Sequence, residues 1–372
     1  MTADPDNSAA AEPQKLRICQ VIGGATDGGL QRHFVDLSNQ LSARHDVIAI
    51  GHPRYRDRLA NTVHYEELDL ERSRHNPKAL FDLYRVLRRH NPQIIHAHAN
   101  KATSMVARVA GFLNARCVAT IHGRKRQLRA YRKFDLVIAV SQELAATIPN
   151  DNTVVIHNGM APIELPENVG PDYLRGEFGI DADRPILVAV GRLVQVKGYD
   201  VLIRSLKQTR ARLIIVGDGE EQKSLEALAK QLNVEDRVHL VGFRTDAPAI
   251  MASADMMVIS SHREGFPYVL TEALHVRQLI VSTQVPGVGE FLPESFIVPV
   301  NNPEALAAVI NRVLDDREAA MRDFEPVWQR AANELTLEAM AAKTEALYRG
   351  LVGAGRGAAG RLQEGLDIEA KA

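Results

Sequence analysis

The sequence predicts two Rossmann-like, doubly wound α/β domains facing a cleft, and three observations carry that prediction. From Leu16 onward short apolar runs alternate with amphipathic segments, the pattern of parallel strands joined by crossover helices. The strand candidates number more than ten, too many for the eight of a closed (β/α) barrel. The alternation pauses once, at a proline-rich stretch near mid-chain, and so falls into two series. A chain of 372 residues is long enough for two domains at roughly 150 residues each.

In the first series the strands are read at 16–22, 46–50, 93–98, 116–121, 135–140 and 153–156. Most are rich in Val and Ile without polar alternation, as strands covered on both faces are. Leu30, Phe34, Leu37 and Leu41 recur at helical spacing, as do Ala79, Leu83, Val86 and Leu87. Residues 161–171, with Pro162, Pro166, Gly170 and Pro171, suit neither a helix nor a central strand and are read as the linker. The second series runs 185–190, 212–216, 237–241, 255–260, 279–282 and 296–300. The expected division is a disordered tail 1–14, domains at 15–165 and 166–333, a helix at 334–350 packing across both, and a flexible tail 351–372. In open α/β sheets ligands sit beyond the carboxyl ends of the strands, so the cleft between the domains is the expected site.

Composition narrows the function. Lys and Arg total 45 against 46 Asp and Glu, so the chain lacks the basic excess of a dedicated nucleic-acid binder. Cys19 and Cys117 lie inside apolar runs and suggest neither a disulfide framework nor a thiolate metal cluster. No apolar stretch approaches the roughly 18 residues of a membrane span, and the first fourteen residues lack a signal peptide's apolar centre. The expected location is the cytoplasm, or the cytoplasmic face of the inner membrane as a peripheral protein.

The densest constellation is Val190-Gly191-Arg192-Leu193-Val194-Gln195-Val196-Lys197-Gly198, which leaves a buried strand and enters a helix. Glycine lets the backbone approach a ligand, and two cations beside free helix amides suit phosphate oxygens. The plainer reading is a strand-to-helix turn with two solvated cations. Further on, a strand leads into Glu264-Gly265-Phe266-Pro267, and a helix opening near Pro267 carries Glu272. Two carboxylates thus face one strand terminus at different depths, and carboxylates accept hydrogen bonds from sugar hydroxyls. Two glutamates eight apart also recur by chance.

Taken together these motifs are specific. Glu264-x7-Glu272, Gly191-Arg192 with Lys197-Gly198, Gly217-Asp218-Gly219 and Val241-Gly242-Phe243 resemble the retaining glycosyltransferases of family 4, which have a GT-B fold. The likeness extends to Gly23-Gly24 with Gly28-Gly29, His96-Ala97-His98, Thr120-Ile121-His122-Gly123, Ala139-Val140-Ser141 and His157-Asn158-Gly159. Where relatives often carry a glutamate before the arginine of the first helix, this chain reads Leu30-Gln31-Arg32.

The resemblance implies a nucleotide-sugar donor on the second domain and an acceptor on the first. Arg192 and Lys197 would hold the diphosphate, Glu264 the transferred sugar and Glu272 the ribose hydroxyls. Gly191, Gly217, Gly219, Gly242 and Phe243 would shape the nucleotide pocket, with amides around Gly265, Phe266, Pro267 and Leu270 adding contacts. His98 and His122, ending first-domain strands, would meet sugar or acceptor groups, or serve only as hydrogen-bonded structural histidines. Gly28, Gly29 and Arg124 complete the acceptor side. Retention of anomeric configuration follows from the same resemblance, and a UDP-sugar is the favoured donor. No Asp-x-Asp pair follows a strand where it could clamp a divalent ion, so metal independence and no cofactor are expected.

Seven basic residues and no acid lie between Arg116 and Lys133. They read either as a solvated face or as a patch for an anionic acceptor, such as phosphorylated lipopolysaccharide core, or for an anionic membrane. A Rossmann dehydrogenase is disfavoured, because the turn at 23–29 lacks the Gly-x-Gly-x-x-Gly spacing. An epimerase of the same fold and a non-catalytic sugar-nucleotide binder remain as alternatives.

Overall fold

A computed structural model describes residues 14–24, 28–124, 127–180 and 184–353. The expected tails fall almost wholly outside these residues, as do Lys125 and Arg126 of the basic run. The apolar runs form two parallel sheets. The first holds β1 (Arg17–Ile22), β2 (Asp46–Gly51), β3 (His64–Glu67), β4 (Ile94–His98), β5 (Arg116–Ile121), β6 (Leu136–Ala139) and β7 (Thr153–Val155) in the order β3-β2-β1-β4-β5-β6-β7. The second holds β8 (Ile186–Val190), β9 (Arg212–Val216), β10 (Val238–Leu240), β11 (Met256–Ile259), β12 (Ile280–Thr283) and β13 (Ile297–Val298) in the order β10-β9-β8-β11-β12-β13. In each, the strand order reverses direction beside the first strand, which opens a crevice at the carboxyl ends. This is the two-lobed GT-B architecture.

The central strands are buried on both faces, which is why they lack polar alternation. Crossover helices cover them and start where the sequence caps them. Asn76 accepts the Ala79 amide at 3.0 Å with Pro77 at the first helical position. Cys19 and Cys117 are free thiols in β1 and β5, and burial pushes both up to about 12. Among the described residues no helix is long and apolar enough to cross a membrane.

Two elements differ from expectation. β3, His-Tyr-Glu-Glu, has no apolar run to announce it and is added to the sheet edge by pairing with β2. The chain end is two helices, Arg317–Glu334 and Leu337–Gly353, so Glu334 closes the earlier one. The last helix leaves the second lobe and packs on the first against the helix Gly29–Ser42. It buries Met340, Leu347, Tyr348 and Leu351 beside Ile18, Phe34 and Leu37. At about 1.5–3 kcal/mol per large apolar side chain this seam is a substantial part of first-lobe stability. Where the chain crosses between lobes, Met160 N donates to Leu335 O at 3.0 Å and Leu337 N to Met160 O at 3.1 Å.

Candidate functional site

Loops at the carboxyl ends of both sheets enclose a cavity of about 780 Å³ between the lobes. The second lobe contributes the turns after β8, β9, β10 and β11, and the first lobe those after β1, β4 and β5. The turn after β9 can approach the turn after β8 only because residue 217 is glycine. Its φ is +139°, and a β-carbon there would stand 2.1 Å from Gly191 O. Asp218 Oδ1 accepts the Phe243 amide at 2.9 Å and thereby ties the β10 turn to the same wall.

The charged groups are arranged as pairs. Lys197 Nζ lies 2.8 Å from Glu264 Oε1, which also accepts from Ser261 Oγ at 2.8 Å. Arg192 is exposed and lines the cavity. Glu272, on the fifth residue of the helix Tyr268–His275, reaches across the cleft, where Arg32 Nη1 donates to its Oε1 at 2.6 Å. Burial pushes the Glu272 pKa up, opposed by Arg32 and, more weakly, by Lys197. Arg32 also lies 5.4 Å from the centre of the Tyr268 ring and 3.6 Å from Asp36.

The lobes touch beside this cavity. Gly265 packs so closely on the first lobe that a β-carbon would stand 2.0 Å from His122 O. Asn158 Nδ2 donates to Phe266 O at 3.3 Å, and His157 Nε2 lies 2.8 Å from Glu290 Oε2.

Below His122 lies a buried group of histidines. His33 and His98 are 2% and 0% exposed, and the candidate ligand nitrogens of His33, His98 and His122 all fall within 4.8 Å of one another. Gln20 Oε1, which can only accept, sits 2.5 Å from His98 Nε2, so that nitrogen carries the proton. Gln20 Nε2 donates to Tyr348 OH at 3.2 Å, leaving the tyrosine proton for His96 Nδ1 at 2.5 Å. His96 Nε2 then donates to Thr120 Oγ1 at 2.7 Å. Burial lowers the pKa of His33, His96 and His98, that of His33 to about 4. They are neutral at physiological pH.

Of the residues singled out in the sequence, Arg192, Lys197, Glu264, Glu272, Gly191, Gly217, Phe243, Gly265, Phe266, Pro267, Gly28, Gly29 and His122 line the cavity. His98 does not: it is fully buried beneath the floor. Gly219 packs on Leu193 O, and Gly242 O accepts the Gly217 amide at 2.8 Å, so both shape the wall from behind. Leu270 is buried and its amide donates to Pro267 O at 3.0 Å, so that amide is committed within the helix. Arg124 is exposed and is not among the residues that line the cavity. Asp218, inside the Gly217-Asp218-Gly219 motif, lines the cavity too, whereas sequence reasoning missed Arg244, Tyr268 and Tyr131 as lining residues. It also missed His33 beneath them. Arg244 follows Gly242-Phe243 directly, a signal that was there to use.

Comparison with known proteins bears on the family and the fold. The family described as "Glycosyl transferases group 1" matches residues 172–324, and "Glycosyltransferase Family 4" matches residues 27–162. The lipopolysaccharide core biosynthesis glycosyltransferase LpsD of Rhizobium meliloti is 26% identical over 78% of this chain and 86% of its own length. LpsE of the same organism is 25% identical over 84% and 94%. Among solved structures, Anabaena HepE in complex with UDP superimposes with a TM-score of 0.79 at 21% identity, covering 91% of this chain and 100% of that one. Fold, cleft and sequence together define a glycosyltransferase of the GT-B class. More narrowly, the two family models, which between them match residues 27–162 and 172–324, make the chain a glycosyltransferase of the group 1 and family 4 type, similar to enzymes of lipopolysaccharide-core synthesis.

Proposed function

We propose that this glycosyltransferase moves a hexose from a nucleotide-diphosphate donor, a UDP-sugar by preference, to a hydroxyl of a cell-envelope glycan or glycolipid, with retention of anomeric configuration. The observation that carries the reading is the convergence of Arg192, Lys197, Glu264 and Glu272 on one interlobe cavity. A solved structure of the same fold, Anabaena HepE, was crystallised with UDP and with UDP-glucose, and two similar proteins, LpsD and LpsE, are named for lipopolysaccharide-core synthesis, which supports the choice of donor and acceptor class. The donor sits against the second lobe and the acceptor against the first, on the cytoplasmic side of the inner membrane.

Cleavage of the bond between anomeric carbon and phosphate oxygen leaves positive character on the sugar and negative charge on the diphosphate. Arg192 and Lys197 stabilise that charge in place of a divalent ion, in a cleft where closure has displaced water. Glu264 orients the sugar and Glu272 the ribose. The acceptor oxygen bonds to the anomeric carbon on the face the diphosphate leaves, and its proton passes to the departing phosphate oxygen. Glu264 is assigned to orienting the sugar rather than to nucleophilic attack, with Lys197 and Ser261 both holding its Oε1 and so fixing the carboxylate.

A panel of nucleoside diphosphates and nucleotide-sugars tests the donor by thermal stabilisation. A ligand at 100 times its dissociation constant adds about 2.7 kcal/mol to folding. Failure of every UDP, GDP and ADP compound to raise the melting temperature would overturn the proposal.

A further inference from the structure

Glu272 belongs to the second lobe, yet the cation that faces it belongs to the first. Arg32 is held over Tyr268 and beside Asp36, and its Nη1 meets only one carboxylate oxygen, Oε1. Among the described residues no hydrogen bond reaches Glu272 Oε2, and both side chains line the cavity. The Glu272 side chain is 17% exposed, so with the lobes apart it would lose the partner that fixes its rotamer. The neighbouring close contact, Gly29 against Tyr268, brings the start of Arg32's own helix onto the start of Glu272's helix.

We infer that Arg32 is a positioning residue: it clamps one oxygen of Glu272 so that the other is presented to the donor ribose, and it does so only when the lobes are closed. A two-hydroxyl contact that exists only in the closed form is bound by the donor only in that form. The donor therefore shifts the lobes toward closure, and closure tightens donor binding by the same factor. Donor occupancy on one lobe is in this way communicated to the acceptor side, through a residue of the acceptor side. The inference rests on Glu272 as the ribose contact.

The test uses UDP and 2′,3′-dideoxy-UDP as probes, with titration calorimetry for affinity and small-angle X-ray scattering for lobe closure. UDP compacts the wild type. Arg32→Ala weakens UDP binding roughly tenfold and abolishes the compaction, Arg32→Lys restores part of both, and Arg32→Ala adds nothing further in a Glu272→Ala background. Dideoxy-UDP, which lacks the hydroxyls, binds wild type and Arg32→Ala alike, whereas a purely structural role would weaken both ligands. Equal UDP affinity and compaction in wild type and Arg32→Ala, or additive losses in the double variant, overturns the inference while leaving the donor site standing. Absence of any UDP binding to wild type overturns the donor reading itself.

Discussion

Lys197 Nζ stands 2.8 Å from Glu264 Oε1, and the two residues follow the neighbouring strands β8 and β11 at the floor of the cleft. Their side chains are 19% and 16% exposed, so the pair is largely desolvated and its charges act strongly on whatever enters. A cation already fixed by a carboxylate needs little reorganisation when charge develops on a diphosphate.

Lys197→Ala is therefore expected to lower turnover by at least about 100-fold. One preorganised donor aimed at developing charge is worth about 3 kcal/mol, and that converts to this factor. Steady-state kinetics with a UDP-sugar checks it, and an unchanged rate would remove Lys197 from the diphosphate site.

Gly265→Ala places a methyl group 2.0 Å from His122 O, a backbone atom that cannot rotate aside. The lobes must then remain apart by an ångström or more. Turnover is expected to fall by about 100-fold, the scale of loss for a displaced reacting group, with the melting temperature little changed. Normal turnover in this variant would mean that the contact plays no part in the working state.

The buried histidines make stability depend on acid. His33, His96 and His98 titrate lower in the folded chain than the value near 6.5 of an exposed histidine, so the unfolded chain takes up protons first as pH falls. Their contribution is complete above about pH 6.5 and is lost progressively as pH falls below it, that of His33 down to about pH 4. Each can remove up to about 1.4 kcal/mol per pH unit. Urea midpoints at pH 7 and pH 5 should separate clearly, and His33→Gln should narrow the gap. Coincident midpoints for the wild type would contradict the burial argument.

Retention is read from the product. An α-linked donor should give an α-linked product, seen in the anomeric proton coupling by NMR. A β-linkage would require a general base on the opposite face of the sugar and would displace the mechanism proposed above.

Most of the fold was legible because parallel strands under helices on both sides are largely apolar, as β8 is from Ile186 to Val190. β3 was hidden for the converse reason: at the sheet edge His64, Tyr65, Glu66 and Glu67 keep much of their surface in water, and only backbone pairing with β2 makes them a strand. The cavity residues after β8 and β11 could be read because glycines and charges cluster there locally. Arg32 against Glu272 could not, since the contact spans 240 positions and exists only through the meeting of the lobes. His98 shows a subtler failure. It shares a strand face with His96 by simple alternation, and that face is the one the last helix covers, so a strand-end histidine was steered beneath the floor rather than into it.

The paired crossings at Met160 and Leu335–Leu337 have a mechanical consequence. Two polypeptide segments pinned side by side behave as a door hinge with two knuckles: they permit swinging about one axis while resisting twist and slide. Cutting either knuckle, or synthesising the first lobe without its borrowed closing helix, should yield a fragment that leaves Tyr348's niche open and precipitates, rather than an autonomous half-enzyme.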